Sequence, residues 1–247
     1  MIDVRQLSKA FRGLQALSDV SFTARDGEIT GLIGPNGAGK TTSLRILYTA
    51  LRADAGAAQV DGFDAATQPR EVQRRIGVLP DARGLYPRLT AREHIRYFGR
   101  LHGLPADTLA ARCDELIDRL GMADIADRRA SGFSRGQSLK VALARALVHA
   151  PRNLILDEPT NGLDIGAGRA VRALIRELRD AGHCILLSSH IMAEVEALCD
   201  RLVVIAGGRV VASGTPDELR RRTGHDALED VFLQSIGGAG VDLGSAA

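Results

Sequence analysis

Gly34-Pro35-Asn36-Gly37-Ala38-Gly39-Lys40-Thr41 sets a glycine, four residues, and then Gly-Lys-Thr. Glycines let a backbone curl until successive N–H groups converge on phosphate oxygens, where a side chain would block the approach. A helix opening at the end of the loop adds partial positive charge. In that chemistry Lys40 reaches the β- and γ-phosphates of a nucleotide, Thr41 places its hydroxyl on Mg²⁺, and Thr42 follows in the first helical turn. The chain holds 27 glycines, so coincidence is weighed against context. Here an apolar strand ends at Ile33 and a helix opens near Lys40, the setting such a loop requires.

A second group, Leu154-Ile155-Leu156-Asp157-Glu158-Pro159, is an apolar run ending in two carboxylates. A buried strand delivers Asp157 to the carboxyl edge of a sheet, where α/β folds bind ligands. Mg²⁺ takes hard oxygen ligands, one or two carboxylates beside phosphates and waters. Glu158, one residue on, is placed to orient and deprotonate a water attacking the γ-phosphate. Taken alone these residues equally describe a strand end before a turn, because Glu-Pro-Thr-Asn-Gly is turn-like. Beside the phosphate loop the chemical reading prevails.

Other segments stay open at this level. Phe133-Ser134-Arg135-Gly136-Gln137 precedes an amphipathic helix; Ser134 and Gln137 have capping-box spacing, and the same helix start offers N–H groups and a hydroxyl to an anion. His190 follows an apolar strand and could contact a phosphate, although a lone histidine is more often structural. Asn161-Gly162-Leu163-Asp164 reads as a turn before a helix.

Short β-rich runs alternate with helical stretches, which predicts an α/β fold with a mainly parallel sheet covered by helices. Strands are expected at Val20 to Ala24, Glu28 to Ile33 and Ile76 to Leu79. The continuous apolar runs Asn153 to Leu156, Cys184 to Leu187 and Leu202 to Ile205 read as strands buried on both faces. Helices are expected from Thr41 to Leu51 and from Ile165 to Ala181. Between residues 82 and 150 helices follow one another, Thr90 to His102, Asp107 to Leu120 and Gln137 to His149. This reads as a helical subdomain inserted into a core of residues 1–81 and 151–214. The tail, 215–247, holds a helix at Pro216 to Arg222, a short segment at Leu228 to Leu233, and a Gly/Ala-rich end.

Of the 247 residues 45% are apolar, and acids and bases nearly balance at a formal charge of +2. That composition supports a real core and gives no electrostatic case for binding nucleic acid. The cysteines Cys113, Cys184 and Cys199 lack metal spacing and fit reduced thiols in the cytosol. No apolar run approaches membrane-spanning length, so any membrane role is expected to come from a partner.

In this order the segments closely resemble the ATPase subunit of ABC transporters, over nearly the whole chain. Walker A (Gly34 to Thr41), a signature-like Phe133 to Gln137, Walker B (Leu154 to Asp157), the adjacent Glu158, a D-loop-like Asn161 to Asp164 and a switch histidine, His190, all occur. The resemblance implies a P-loop NTPase core with an N-terminal antiparallel β part. It also implies an ATPase with ATP and Mg²⁺ as ligands, at the cytoplasmic face of a membrane, partnered by a separate transmembrane permease. Two such subunits pack head to tail, so Ser134, Gly136 and Gln137 would contact the partner's ATP, Asp164 would couple the two sites, and His190 would hold the γ-phosphate. Phe11 takes the place of an aromatic that stacks on adenine. Two positions depart from the family pattern: Arg135 stands for a glycine, and Asp81 for a glutamine that contacts Mg²⁺ and senses the permease. Segments 78–86 and 133–137 look most like the bacterial sodium-exporting branch, NatA-type ATPases. The competing readings are a soluble ABC-type switch acting on ribosomes or DNA, and a GTPase or small-molecule kinase on the same loop. The absence of an Asn-Lys-x-Asp sequence argues against a GTPase.

Overall fold

The computed structural model describes residues 1–82 and 84–237; Arg83 and the Gly/Ala-rich end lie outside the described residues. At the N-terminus β1 (Ile2–Phe11) and β2 (Leu14–Ala24) form an antiparallel pair, extended by β4 (Ala55–Val60) and β5 (Phe63–Asp64) into a sheet of order β2-β1-β4-β5. The second sheet is built on β3 (Ile29–Ile33), β6 (Ile76–Leu79), β7 (Asn153–Asp157), β8 (Cys184–Ser189), β9 (Arg201–Ala206) and β10 (Arg209–Gly214). Its order is β10-β9-β3-β8-β7-β6, parallel throughout except for the β9–β10 hairpin.

The continuous apolar runs are central strands, as expected of strands covered on both sides. Alternate residues serve two separate cores: Leu154, Leu156, Ile185 and Leu187 face the larger one, while Ile155, Cys184 and Leu186 face the other. The second core joins the parallel sheet to α1 (Lys40–Leu47) and to the antiparallel sheet, through Leu44, Leu47, Ile2 and Val4. On the opposite face lie α3 (Ala91–Leu101), α4 (Ala106–Arg119), α5 (Arg135–Leu147) and α6 (Ile165–Asp180), with α2 (Pro69–Arg75) leading into β6. α7 (Met192–Leu198), α8 (Pro216–Thr223) and α9 (Leu228–Gly237) complete the order.

Several boundaries differ from the sequence reading, β2 for instance starting at Leu14 and not Val20, and three of the differences have a clear local cause. The first helix stops at Leu47, because Thr49 turns left-handed (φ 66°) and the Ala50 and Leu51 N–H groups fold back to the Arg45 carbonyl. Leu51 still packs on the core, which is why the apolar spacing ran on past the helix. α5 starts and ends two residues early, since the capping box makes Ser134 the cap and Gln137 the third helical residue. The segment expected to be short after residue 228 is a full helix, anchored by buried Leu228, Val231 and Ile236.

Candidate active site

Parallel strands present their carboxyl ends at one edge, and register decides what arrives there. Ile33 pairs with Ser189, Asp157 with Ser188, and Leu79 with Leu156. The residues that follow, the Gly34–Thr41 loop, Glu158, His190 and Asp81, therefore converge from four strands. They surround a cavity of about 380 Å³ lined by residues 36–42, Asp81, Asp157, Glu158, Asn161, His190 and Ala16.

The loop curls as its glycines allow. Gly39, at φ 108°, caps α1; a Cβ there would lie 2.5 Å from the Leu17 side chain and 2.8 Å from the Ala16 carbonyl. Any other residue would be strained and would collide with β2. Lys40 is almost fully buried, and its ammonium donates to the carbonyls of Gly34 (2.6 Å) and Pro35 (3.2 Å). These two bonds hold the cation under the loop, and an ammonium has a third donor. Burial lowers the Lys40 pKa, opposed by the negative charges of Glu158 and Asp157. Thr41 and Thr42 open the helix at the cavity wall.

Asp157 is buried and accepts a hydrogen bond from the Ser188 hydroxyl. The same hydroxyl accepts from the Glu158 N–H at 3.2 Å, and the Ser188 carbonyl accepts from it too. Glu158 adopts φ 51°, unusual for a residue with a side chain. Its carboxylate meets His190 Nδ1 at 2.8 Å. A carboxylate only accepts, so in that contact Nδ1 carries the proton; Nε2 then accepts when the ring is neutral and donates when it is charged. Ser188 was not singled out by sequence reasoning. The available signal was a hydroxyl in the strand end opposite Asp157.

Among the described residues no cluster of three His, Cys, Asp or Glu could hold a metal by itself. The donors on the cavity, Thr41, Asp157 and Asp81, are all hard oxygens. That is the partial set which suits Mg²⁺ shared with phosphates and water. Two carboxylates beside a polyphosphate also require more positive charge than Lys40 and a helix end supply.

Other predicted site residues lie off this cavity. Phe11 is 44% exposed at the end of β1, with the Lys9 ammonium 5.6 Å from its ring centre. Ser134 and Gln137 bond each other's backbone N–H in a capping box, and Asp164 caps α6 through the Ala167 N–H at 2.8 Å. Gly136 follows within the first turn of α5.

The sequence profile of the family described as ABC transporter matches residues 17–161. The ABC transporter ATP-binding protein NatA of Bacillus subtilis (strain 168) is 44% identical over 96% of this chain and 98% of its own length. A daunorubicin resistance ATP-binding protein of Streptomyces coeruleorubidus is 39% identical over 98% of this chain and 77% of its own. The Nod factor export ATP-binding protein I of Burkholderia lata is 39% identical over 92% of this chain and 75% of its own. A solved ATP-binding subunit of an ABC transporter superposes with a TM-score of 0.89 at 32% identity, covering 95% of this chain and 99% of that one. A dimeric ATP-binding cassette bound to ADP and phosphate shares the fold at a TM-score of 0.81, with 23% identity over 87% of this chain and 98% of its own.

Proposed function

The chain belongs to the ABC transporter ATP-binding family, whose members bind and hydrolyse ATP, and from that premise we propose that it powers an exporter through a separate membrane permease. The convergence of the phosphate loop, Asp157, Glu158 and His190 on one cavity carries this reading. The loop N–H groups and Lys40 hold the phosphates. Thr41, Asp157 and Asp81 would hold Mg²⁺, which when bound neutralises phosphate charge as the γ-phosphoryl group leaves. Glu158 takes the proton of the attacking water, and His190 orients Glu158 and reaches the γ-phosphate. Ser188 ties the Asp157 carboxylate to the Glu158 backbone N–H through one hydroxyl.

The second half of each site comes from another copy. Ser134, Gly136, Gln137 and Asp164 are on the surface away from their own chain's cavity, which suits a head-to-tail dimer with ATP between subunits. Phe11, exposed at a hairpin end, serves as the adenine contact. The α/β core, residues 1–81 and 151–214, carries the nucleotide, and the helical region 82–150 carries the segment for the partner's ATP. No helix among the described residues is long and apolar enough to cross a membrane. The permease therefore supplies the path, with this chain peripheral on the cytoplasmic face. Exposed Tyr86 and Tyr97 meet edge to face on the helical region, and exposed Leu101 lines a second cavity of about 710 Å³ with Phe98 and Arg145; this surface suits the permease contact. Daunorubicin resistance and Nod factor export in relatives' names support export. The resemblance of segments 78–86 and 133–137 to NatA-type ATPases makes sodium the proposed cargo.

Lys40→Ala tests the reading. Losing a charge-assisted hydrogen bond of ~2–3 kcal/mol should weaken ATP binding about thirtyfold or more and stop turnover. Circular dichroism should show an intact fold. Near-normal ATPase activity in the folded variant would refute the assignment.

A further inference from the structure

Arg135 is the first helical residue after the cap Ser134. A helix N-terminus favours anions, so a cation at this position needs another reason. Its side chain lies over Gly162, in the turn on the far side of the α5–α6 junction. A Cβ built on Gly162 would sit 2.6 Å from Arg135 Nη1 and 3.4 Å from its Cδ. Gly162 is also left-handed, at φ 70°. Next to this contact the two helix starts approach each other, since a Cβ on Gly136 would come within 3.8 Å of the Ala167 Cβ. The turn under Arg135 begins at Glu158. It closes with Asn161 N–H donating to the Glu158 carbonyl and Leu163 N–H to the Thr160 carbonyl, each at 3.2 Å. One guanidinium thus spans from the segment bearing Ser134 and Gly136 to the turn that sets the Glu158 backbone.

We propose that Arg135 is a positioning residue that ties the start of α5 to the 158–163 turn, so that nucleotide held at the start of α5 adjusts Glu158 in the same chain. The proposal rests on the head-to-tail dimer described above. In that dimer Ser134 touches the partner's ATP, while Glu158 acts on the chain's own. Arg135 then reports one site's occupancy to the other, a coupling that a glycine at this position has no reach to make.

The test is a double-mutant cycle of Arg135→Gly and Gly162→Ala, read as kcat, ATP affinity and the Hill coefficient for ATP. Arg135→Gly should bring a Hill coefficient above 1 down to about 1, with ATP affinity changed by less than about twofold. Gly162→Ala, which displaces the guanidinium, should lower kcat about tenfold alone but at most about threefold on the Arg135→Gly background. Gly162→Asn, which a left-handed backbone tolerates, replaces alanine should the strain unfold the chain. Equal effects of the Gly162 change in both backgrounds, or an unchanged Hill coefficient in Arg135→Gly, would overturn the link. Dimerisation of Glu158→Gln with ATP is measured alongside. A dimer with an additive cycle overturns this link alone, and a monomer overturns both it and the dimer.

Discussion

Glu158 holds a left-handed backbone that costs a residue with a side chain about 1 kcal/mol or more, and two hydrogen bonds from its N–H to Ser188 keep it there. The strain turns the carboxylate to His190 and the cavity, so backbone geometry and chemistry are joined at one residue. Asp81, two residues beyond the end of β6, lines the same cavity. With Asp81 on the metal or its water shell, Asp81→Asn should raise the Mg²⁺ concentration for half-maximal activity several-fold, because a neutral amide binds the ion more weakly. A titration of ATPase activity against Mg²⁺ checks this, and an unmoved curve would remove Asp81 from the metal site. That Lys40, Asp157 and Glu158, which line one cavity, belong together was legible in the sequence from their types and spacing. Ser188 was not, because a serine closing an apolar strand becomes informative only once register sets it opposite Asp157.

Strands were the most readable elements where burial on both faces made the sequence continuously apolar, as in β7 and β8. β1 was missed as a strand: its pairing with β2 shifts register after Val4, and Gln6 turns left-handed, so no clean alternation survives. β10 lies at the sheet edge with an exposed Arg209 and offers little apolar signal. The end of α5 yields a pH prediction. His149 stacks on His102 with ring centres 3.6 Å apart, and its Nε2 contacts the Ile76 carbonyl at 2.9 Å. Burial pulls its pKa from 6.5 down to about 4. Above pH 6.5 the ring is neutral folded or unfolded, and stability is complete. Between 6.5 and 4 the unfolded chain takes up a proton that the folded chain refuses, so stability falls. Allowing for the ring's partial exposure, the loss is about 1–2 kcal/mol. Burial lowers His94, His102 and His183 as well, and they add in the same direction. His149→Gln keeps an N–H for Ile76 without the titration. Urea unfolding at pH 7 and 4.5 should show the variant losing about 1–2 kcal/mol less than the parent; parallel losses would contradict the assignment.

At the scale of the whole molecule, fold class and site order were legible because one sheet edge gathers motifs scattered from residue 34 to 190. The proposed permease surface has no signature in the sequence, since exposed aromatic residues carry no spacing rule. Photo-crosslinkers at Tyr97 and Leu101 should capture an integral membrane protein in cells; capture of soluble partners alone would favour the switch reading. In the proposed mechanism ATP closes two chains head to tail and Glu158 reopens them by hydrolysis. Glu158→Gln keeps size and hydrogen bonding but removes the base, so hydrolysis should fall about a hundredfold or more while ATP still binds. Sedimentation of this variant with and without Mg-ATP is the direct measurement. A dimer is expected with Mg-ATP and a monomer without it; a variant that hydrolyses normally, or binds ATP and stays monomeric, would disprove the mechanism.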